Sequence, residues 1–124
     1  MGNRIKNTIW ILVLLLALTS CEYSYDYSYE VTNKSDAEIK VHVKTFRIDS
    51  VFMISKDSSE VLFIKDHGIE GSKGPYFDDV TRDLYLFEVT KNNTLKSKRD
   101  YLKNEAWAFD KGKYSTVVTN VEFE

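Results

Sequence analysis

Apolar and polar residues alternate along much of this 124-residue chain, and no other feature limits its fold as strongly. Every second residue of 39–45 is apolar or β-branched, and lysine and histidine occupy the positions between them. Tyrosines alternate with polar residues at 23–29, and residues 117, 119, 121 and 123 are Val, Thr, Val and Phe. A period of two is typical of a β-strand with one buried face. The pattern therefore predicts an all-β fold.

Turn-rich clusters divide the chain into six or seven short strands. The clearest of them lie at 27–32, 37–46, 51–55, 60–65, 84–90 and 114–124. Two of these flank the turn KDSS and read as a hairpin, whereas residues 66–83 form a long loop and 95–103 fit either a short helix or a loop with an edge strand. We predict that Trp107 anchors the core and that its indole N–H needs a partner there. This spacing favours an antiparallel β-sandwich, with a small open barrel as the alternative.

The first twenty residues have the organisation of an export signal. Arg4 and Lys6 precede ten uninterrupted apolar residues at 9–18, and no acidic residue occurs before Glu22. Such a segment is about 15 Å long as a helix, roughly half the hydrocarbon thickness of a bilayer, so it is too short to span a membrane. Its length suits the apolar region of a secretory signal peptide.

The sequence that follows, Leu18-Thr19-Ser20-Cys21, resembles the lipobox of bacterial lipoproteins. The resemblance implies that Cys21 receives a diacylglyceryl group and that a signal peptidase, recognising Leu18, Thr19 and Ser20, cuts before it. Two or three acyl chains anchor a protein stably, whereas one chain does so only marginally. An ordinary signal peptide with a free cysteine and a short anchor helix are the alternatives.

These features divide the chain into three parts. Residues 1–20 are the lipoprotein signal peptide, 21–26 are the lipidated cysteine and a tether, and 27–124 are a single β-sandwich domain. Cys21 is the only cysteine, so the mature protein has no disulfide and no cysteine ligand or nucleophile. Its core alone has to hold the domain together.

The charge balance excludes one class of partner. Without Arg4 and Lys6 the mature part keeps 15 basic and 19 acidic residues, a net charge of −4. A nucleic-acid-binding domain presents a strongly basic face. We therefore expect no nucleic-acid partner. We expect a monomer attached to the membrane by its lipid.

The order of motifs resembles a group of small lipoproteins of unknown function from Bacteroidota. The resemblance covers roughly residues 9–124 and depends on YEVTNKSDAEIKV, DSVFMISKDSSEVLFI, a glycine-rich loop and the terminal YSTVVTNVEFE. It implies an immunoglobulin-like β-sandwich behind the lipobox and a location at the outer membrane. The residue after the cysteine is Glu22 rather than the aspartate that favours inner-membrane retention in other Gram-negative bacteria. The resemblance implies no catalytic residues.

The long loop holds the strongest candidates for ligand binding. Its carboxylates, imidazole and aromatic rings are those of Asp66, His67, Glu70, Tyr76, Phe77, Asp78 and Asp79. Carboxylates and histidine can ligate calcium or zinc, but their spacing matches no known metal-binding loop. We therefore predict no metal site and no cofactor. Long loops in compact domains are often functional, so a ligand is expected here first.

The sequence favours a non-enzymatic role. It contains neither a Gly-x-Ser-x-Gly nor a Ser-x-x-Lys motif. The leading hypothesis is a lipid-anchored binding or structural accessory of the cell envelope, with a protein or glycan partner. The alternatives are a small envelope hydrolase that uses the loop carboxylates and an immunity or inhibitor lipoprotein. The basic segment 91–103 is a further surface that could contact an anionic glycan or headgroup.

Overall fold

The computed structural model of this protein describes residues 23–69 and 74–124. Within these residues the chain forms eight strands: β1 (Tyr23–Asn33), β2 (Ile39–Lys44), β3 (Asp49–Ile54), β4 (Ser59–Ile69), β5 (Leu86–Lys91), β6 (Leu95–Lys96), β7 (Ala108–Asp110) and β8 (Lys113–Val118). Three short 3-10 helices lie at Val80–Arg82, Asn104–Ala106 and Asn120–Phe123. The all-β prediction is confirmed, with one or two more strands than expected. No helix in the described part is long and apolar enough to cross a membrane.

The strands form two four-stranded sheets that are mostly antiparallel. One has the order β4-β1-β8-β7 and the other the order β3-β2-β5-β6. The exception is the pair of β1 and β8, which run parallel. This arrangement is consistent with the predicted sandwich, with a parallel pair at the centre of one sheet that the sequence did not indicate.

Side chains from both sheets meet in a core rich in aromatic rings. Tyr29 stacks on Tyr114 and on Phe63, with centroids 4.6 Å apart in both pairs. Trp107 meets the edge of Tyr29 at 5.3 Å and of Phe87, on the other sheet, at 5.2 Å. Its indole nitrogen donates to the carbonyl of Tyr101 at 2.8 Å. The predicted role of Trp107 as a core anchor is confirmed.

The predicted hairpin of residues 51–55 and 60–65 is wrong. β3 pairs with β2, whereas β4 pairs with β1 in the other sheet. Between them the chain crosses from one sheet to the other, and Asn33 stabilises the crossing. Its side-chain nitrogen donates to the carbonyl of Ile54 at 2.9 Å, and its carbonyl accepts from the amide of Asp57 at 2.8 Å.

The first strand begins at Tyr23, four residues before the predicted start and inside the expected tether of 21–26. Residues 23–26 pair with 66–69, which extend β4 beyond the predicted strand end. Asp66 and His67 therefore belong to a strand rather than to the predicted loop. The reason is that the alternation of the tyrosines starts at Tyr23, and a sheet partner of matching length is available.

The expected strand 114–124 is shorter than predicted, and the face that was predicted to be buried is the exposed one. β8 stops at Val118, and Thr119 then caps a 3-10 helix through the Glu122 carboxylate, which accepts from the Thr119 amide at 2.7 Å. Tyr114 and Val118 are buried, whereas Val117 is about half exposed. Both faces of this strand carry apolar side chains, so periodicity alone could not tell which one is inside.

The two ends of the sandwich differ in what they carry. We define the near end as the end where β1 begins, and the far end as the end where β1 stops at Asn33. β2 starts shortly after the far end and runs back, so the β2–β3 turn at residues 45–48 points toward the near end. The β3–β4 turn, SKDS at residues 55–58, lies at the far end.

Candidate functional site

Three tyrosine hydroxyls hold the segment of residues 74–79 at the near end. The Tyr25 hydroxyl accepts from the amide of Gly74 at 3.2 Å, and the Tyr27 hydroxyl donates to the carbonyl of Tyr76 at 2.8 Å. The Tyr114 hydroxyl accepts from the amide of Asp78 at 2.8 Å and donates to its carbonyl at 2.7 Å. All four bonds are to backbone groups. These three tyrosines therefore hold the segment 74–79 through its backbone, independently of the side chains of that segment.

A buried polar network lies directly beside that segment. The Tyr29 hydroxyl donates to Oδ2 of Asp83 at 2.7 Å, and Lys65 pairs with Oδ1 of the same carboxylate. The Asp83 side chain is 1% exposed, whereas that of Lys65 is 42% exposed. Burial raises the pKa of Tyr29, and the hydrogen bond and charge of Asp83 raise it further. Tyr29 is therefore a neutral donor at physiological pH, and the buried carboxylate has both a donor and a counter-charge.

Above this network is an open groove of about 460 Å³. Its walls are the β2–β3 turn (45–48), residues 63–66 of β4, and the segment 82–85. Thr45 shapes the turn, because its hydroxyl accepts from the amides of Arg47 and Ile48 at 3.2 and 3.1 Å. This turn holds the side chain of Phe46 away from the core.

Five exposed side chains surround the groove, and we call them the groove rim: Phe46, Arg47, Ile64, Arg82 and Tyr85. Phe46 is 83% exposed, Ile64 65% and Tyr85 58%. Large apolar side chains are often partly exposed one at a time, but several around one concavity mark an interaction surface. The rim therefore defines the candidate site.

The charges at the groove are partly paired. Arg82 lies 3.4 Å from Asp78, and Lys65 pairs with Asp83. Arg47 makes no ion pair with any residue in the described part of the chain. The groove lining holds three basic and two acidic side chains. Its net charge of +1 contrasts with the acidic protein as a whole.

Asp66, one of the sequence-predicted candidates, lines the groove. It faces Asp26 across the β1–β4 pair. A hydrogen bond with the Asp66 carboxyl, followed by the charge of that group, raises the pKa of Asp26. Two exposed carboxyls therefore share one edge of the candidate site.

The other predicted site residues lie on different surfaces. Phe77 packs edge-on against Phe109 at 5.6 Å, and Tyr76 contributes its carbonyl to Tyr27 while its ring is half exposed. Asp78 pairs with Arg82, and Asp79 caps the 3-10 helix that follows it. Hydrogen bonds from the backbone and hydroxyl of Thr81 lower the pKa of Asp79.

Several predicted residues lie outside the described part of the structure. They are the lipobox residues Leu18, Thr19, Ser20 and Cys21, together with Glu70 and the side chain of His67. Among the residues that are described, no group of three or more acidic, histidine or cysteine side chains could hold a metal ion.

The basic segment 91–103 is largely neutralised within the domain. Lys91 bonds to Asp36 at 3.0 Å and to the amide oxygen of Asn120, and it is nearly buried. Arg99 pairs with Glu122, and Lys96 pairs with Glu88 at 3.0 Å. A listing of charges along the sequence overstates what this surface offers to an anionic partner, because three of its five basic groups already have acidic partners.

Sequence reasoning did not find the groove rim. Its members come from three separate segments, and none belongs to a motif. One local signal was available, because Phe46-Arg47 follows an alternating strand at the point where the chain must turn. A large apolar residue in a tight turn has few neighbours to bury it.

The fold and the groove define a small all-β protein of two mostly antiparallel sheets with an exposed aromatic and basic concavity at one end. No family model, no curated protein and no solved structure matches this chain.

Proposed function

We propose that this protein is a lipoprotein of the outer membrane, anchored through Cys21, and that its sandwich is a non-enzymatic binding or structural accessory of the cell envelope. The observation that carries the proposal is the run Leu18-Thr19-Ser20-Cys21 behind a basic and an apolar segment. Glu22 in place of aspartate supports the outer rather than the inner membrane. The likeness to Bacteroidota lipoproteins supports the same location.

We assign the sandwich to the immunoglobulin-like type. The architecture of two mostly antiparallel sheets supports this assignment. A chain of this type presents its turns at the two ends of the sandwich. Phe46 and Arg47 of the groove rim lie on such a turn, and the rim is the surface we assign to binding.

The chemistry of the groove supports binding rather than catalysis. Its buried acid, Asp83, is engaged by Tyr29 and Lys65, and the raised pKa of Tyr29 keeps that hydroxyl protonated. A general base needs a pKa near the working pH and access to substrate. Exposed apolar rings and an arginine with no ion pair among the described residues instead suit contact with a partner.

The anchor is tested by fractionation of cells that express the native protein or a Cys21→Ser variant. We expect the native protein in the outer-membrane fraction and the variant outside it. Equal distribution of the two proteins would contradict the anchor. Sedimentation of the native protein in detergent tests the proposed monomer.

The accessory role is tested with a photoreactive crosslinker attached to a new cysteine in intact cells. Phe46→Cys places the probe on the groove rim, and Lys56→Cys places it on the exposed far-end turn as a matched control. We expect one envelope component, membrane lipid included, to be crosslinked from position 46 and not from position 56. Identical adducts from both positions would remove the rim from consideration.

A further inference from the structure

The lipid anchor and the folded domain are separated by almost no chain. This step rests on the proposed function, namely that Cys21 carries the acyl chains. β1 begins at Tyr23, two residues after Cys21. Two residues span at most about 7 Å, even when fully extended. The near end of the sandwich is therefore held at the headgroup layer, rather than at the end of a flexible tether.

The groove lies beside the middle of β1. The groove lining includes three residues of β4 that pair with β1. They are Phe63, Lys65 and Asp66, and their partners are Tyr29, Tyr27 and Asp26, respectively. From Tyr23 to Tyr27 the strand rises about 13 Å. The groove lining, opposite Asp26 to Tyr29, is thus roughly 17–27 Å from the acylated residue along the chain, counting the strand rise and the two-residue connection.

The rim also lies on the side of the domain next to the anchor. β1 is the neighbour of β4, and β4 is an edge strand of its sheet. Ile64 projects from that edge strand, and Phe46 and Arg47 lie in the turn that precedes β3, the edge strand of the other sheet. A tilt of the sandwich toward this side brings the groove rim into contact with the lipid headgroups.

The composition of the rim is that of a membrane-interface surface. Amphipathic aromatic rings are enriched at the headgroup level, and arginines beside them contact phosphates. The rim combines Phe46, Tyr85 and Ile64 with Arg47 and Arg82. The far-end turn of residues 55–58, by contrast, consists of Ser, Lys, Asp and Ser.

We propose that the groove rim seats on the headgroup layer of the membrane that holds the anchor, with Phe46 inserted and Arg47 on the phosphates. The anchor keeps lipid permanently beside the rim, so the second contact is intramolecular and needs little affinity of its own.

Charge at the groove sets the expected lipid preference. Arg47, Arg82 and Lys65 face the surface together with Asp66, while Asp83 is buried beneath them. The net charge of +1 predicts a preference for anionic over zwitterionic lipid of only a few-fold. Most of the contact is therefore apolar.

The test uses the mature lipoprotein reconstituted in vesicles, with an environment-sensitive fluorophore on a new cysteine. Because Cys21 is the only natural cysteine and is acylated in the proposal, Phe46→Cys or Lys56→Cys supplies the single reactive thiol. We expect the label at 46 to emit at shorter wavelength and to be quenched several-fold by nitroxide lipids, in phosphatidylcholine and somewhat more in phosphatidylglycerol. The label at 56 should remain in water.

Each outcome separates the seating from the anchor. Flotation of the protein with the vesicles, together with an aqueous signal at both positions, would overturn the seating and leave the anchor intact. Failure to float would refute the anchor itself. Shielding of position 46 that requires an added envelope protein or glycan would also overturn the proposal, because the rim would then belong to that partner.

A second variant guards against an effect of the label at position 46. Tyr85→Cys places the fluorophore on another rim residue, and Arg47→Glu reverses the unpaired charge in the same chain. We expect Arg47→Glu to reduce the lipid quenching at position 85 several-fold in phosphatidylglycerol vesicles. No change in quenching would argue against contact between Arg47 and the headgroups.

Discussion

Removal of the Tyr29 hydroxyl tests the buried network beneath the groove. Tyr29→Phe keeps the ring that stacks on Tyr114 and Phe63, and it deletes only the donor 2.7 Å from Oδ2 of Asp83. Hydrogen bonds to charged groups contribute about 1.5–3 kcal/mol. Lys65 still pairs with the carboxylate, so we expect a loss near the middle of that range, about 2 kcal/mol in the free energy of unfolding.

Tyr101→Phe is the matched control, because it makes the same chemical change at another buried tyrosine of the core. Its hydroxyl shares one hydrogen bond with the Ser97 hydroxyl at 2.9 Å, and a neutral hydrogen bond contributes about 1 kcal/mol. Urea unfolding measures both variants. With an m-value of roughly 1–2 kcal/mol/M, the midpoint should fall by about 1–2 M for Tyr29→Phe and by roughly half as much for the control. Equal losses, or no loss for Tyr29→Phe, would refute the role of the charged acceptor.

Three further changes test other parts of the account. The pKa of Asp26 is raised by its hydrogen bond with Asp66 and the charge of that group, so its ionised form destabilises the fold above the unfolded value of 3.8. Asp26→Asn should therefore raise the melting temperature at pH 7 and not at pH 3, whereas Asp110→Asn, at another exposed aspartate, should change neither. Burial would raise the pKa of Glu122, but its hydrogen bonds and a nearby arginine lower it overall. Its stabilisation is thus present above the unfolded value of 4.5 and lost as pH falls, so Glu122→Gln should flatten the dependence of unfolding free energy on pH between 5 and 3. Gly112 has φ of +85° and an added Cβ would lie 2.8 Å from the carbonyl of Asp26, so Gly112→Ala should cost more than about 1 kcal/mol in urea unfolding.

The strands were predictable from the sequence because the alternation they need is local. Ile39, Val41 and Val43 are all buried, as the period of two requires. Strand pairing was not predictable in the same way. β3 and β4 look like a hairpin, but the register of β4 is set by β1, which lies about 35 residues away in the chain. Only the long-range hydrogen bonds of Asn33 explain where the chain changes sheet.

The candidate site was less predictable than the fold. The sequence pattern identified Asp66 and Asp78 as candidate site residues, but the acidic side chains of the predicted loop do not come together at one site. The groove rim depends on tertiary structure, because Phe46, Ile64 and Tyr85 meet only after the two sheets pack. The alternating tyrosines at 23–29 were visible in the sequence. The role of Tyr25 and Tyr27, together with Tyr114, in holding the backbone of 74–79 required the structure.

The most direct test of the account is the mass of the mature protein extracted from cell membranes. The account predicts that Cys21 is the first residue and that the N-terminal peptide carries a diacylglyceryl group on Sγ, with or without a further acyl chain on its amino group. An N-terminus at any other residue, or an unmodified thiol on Cys21, would contradict the account.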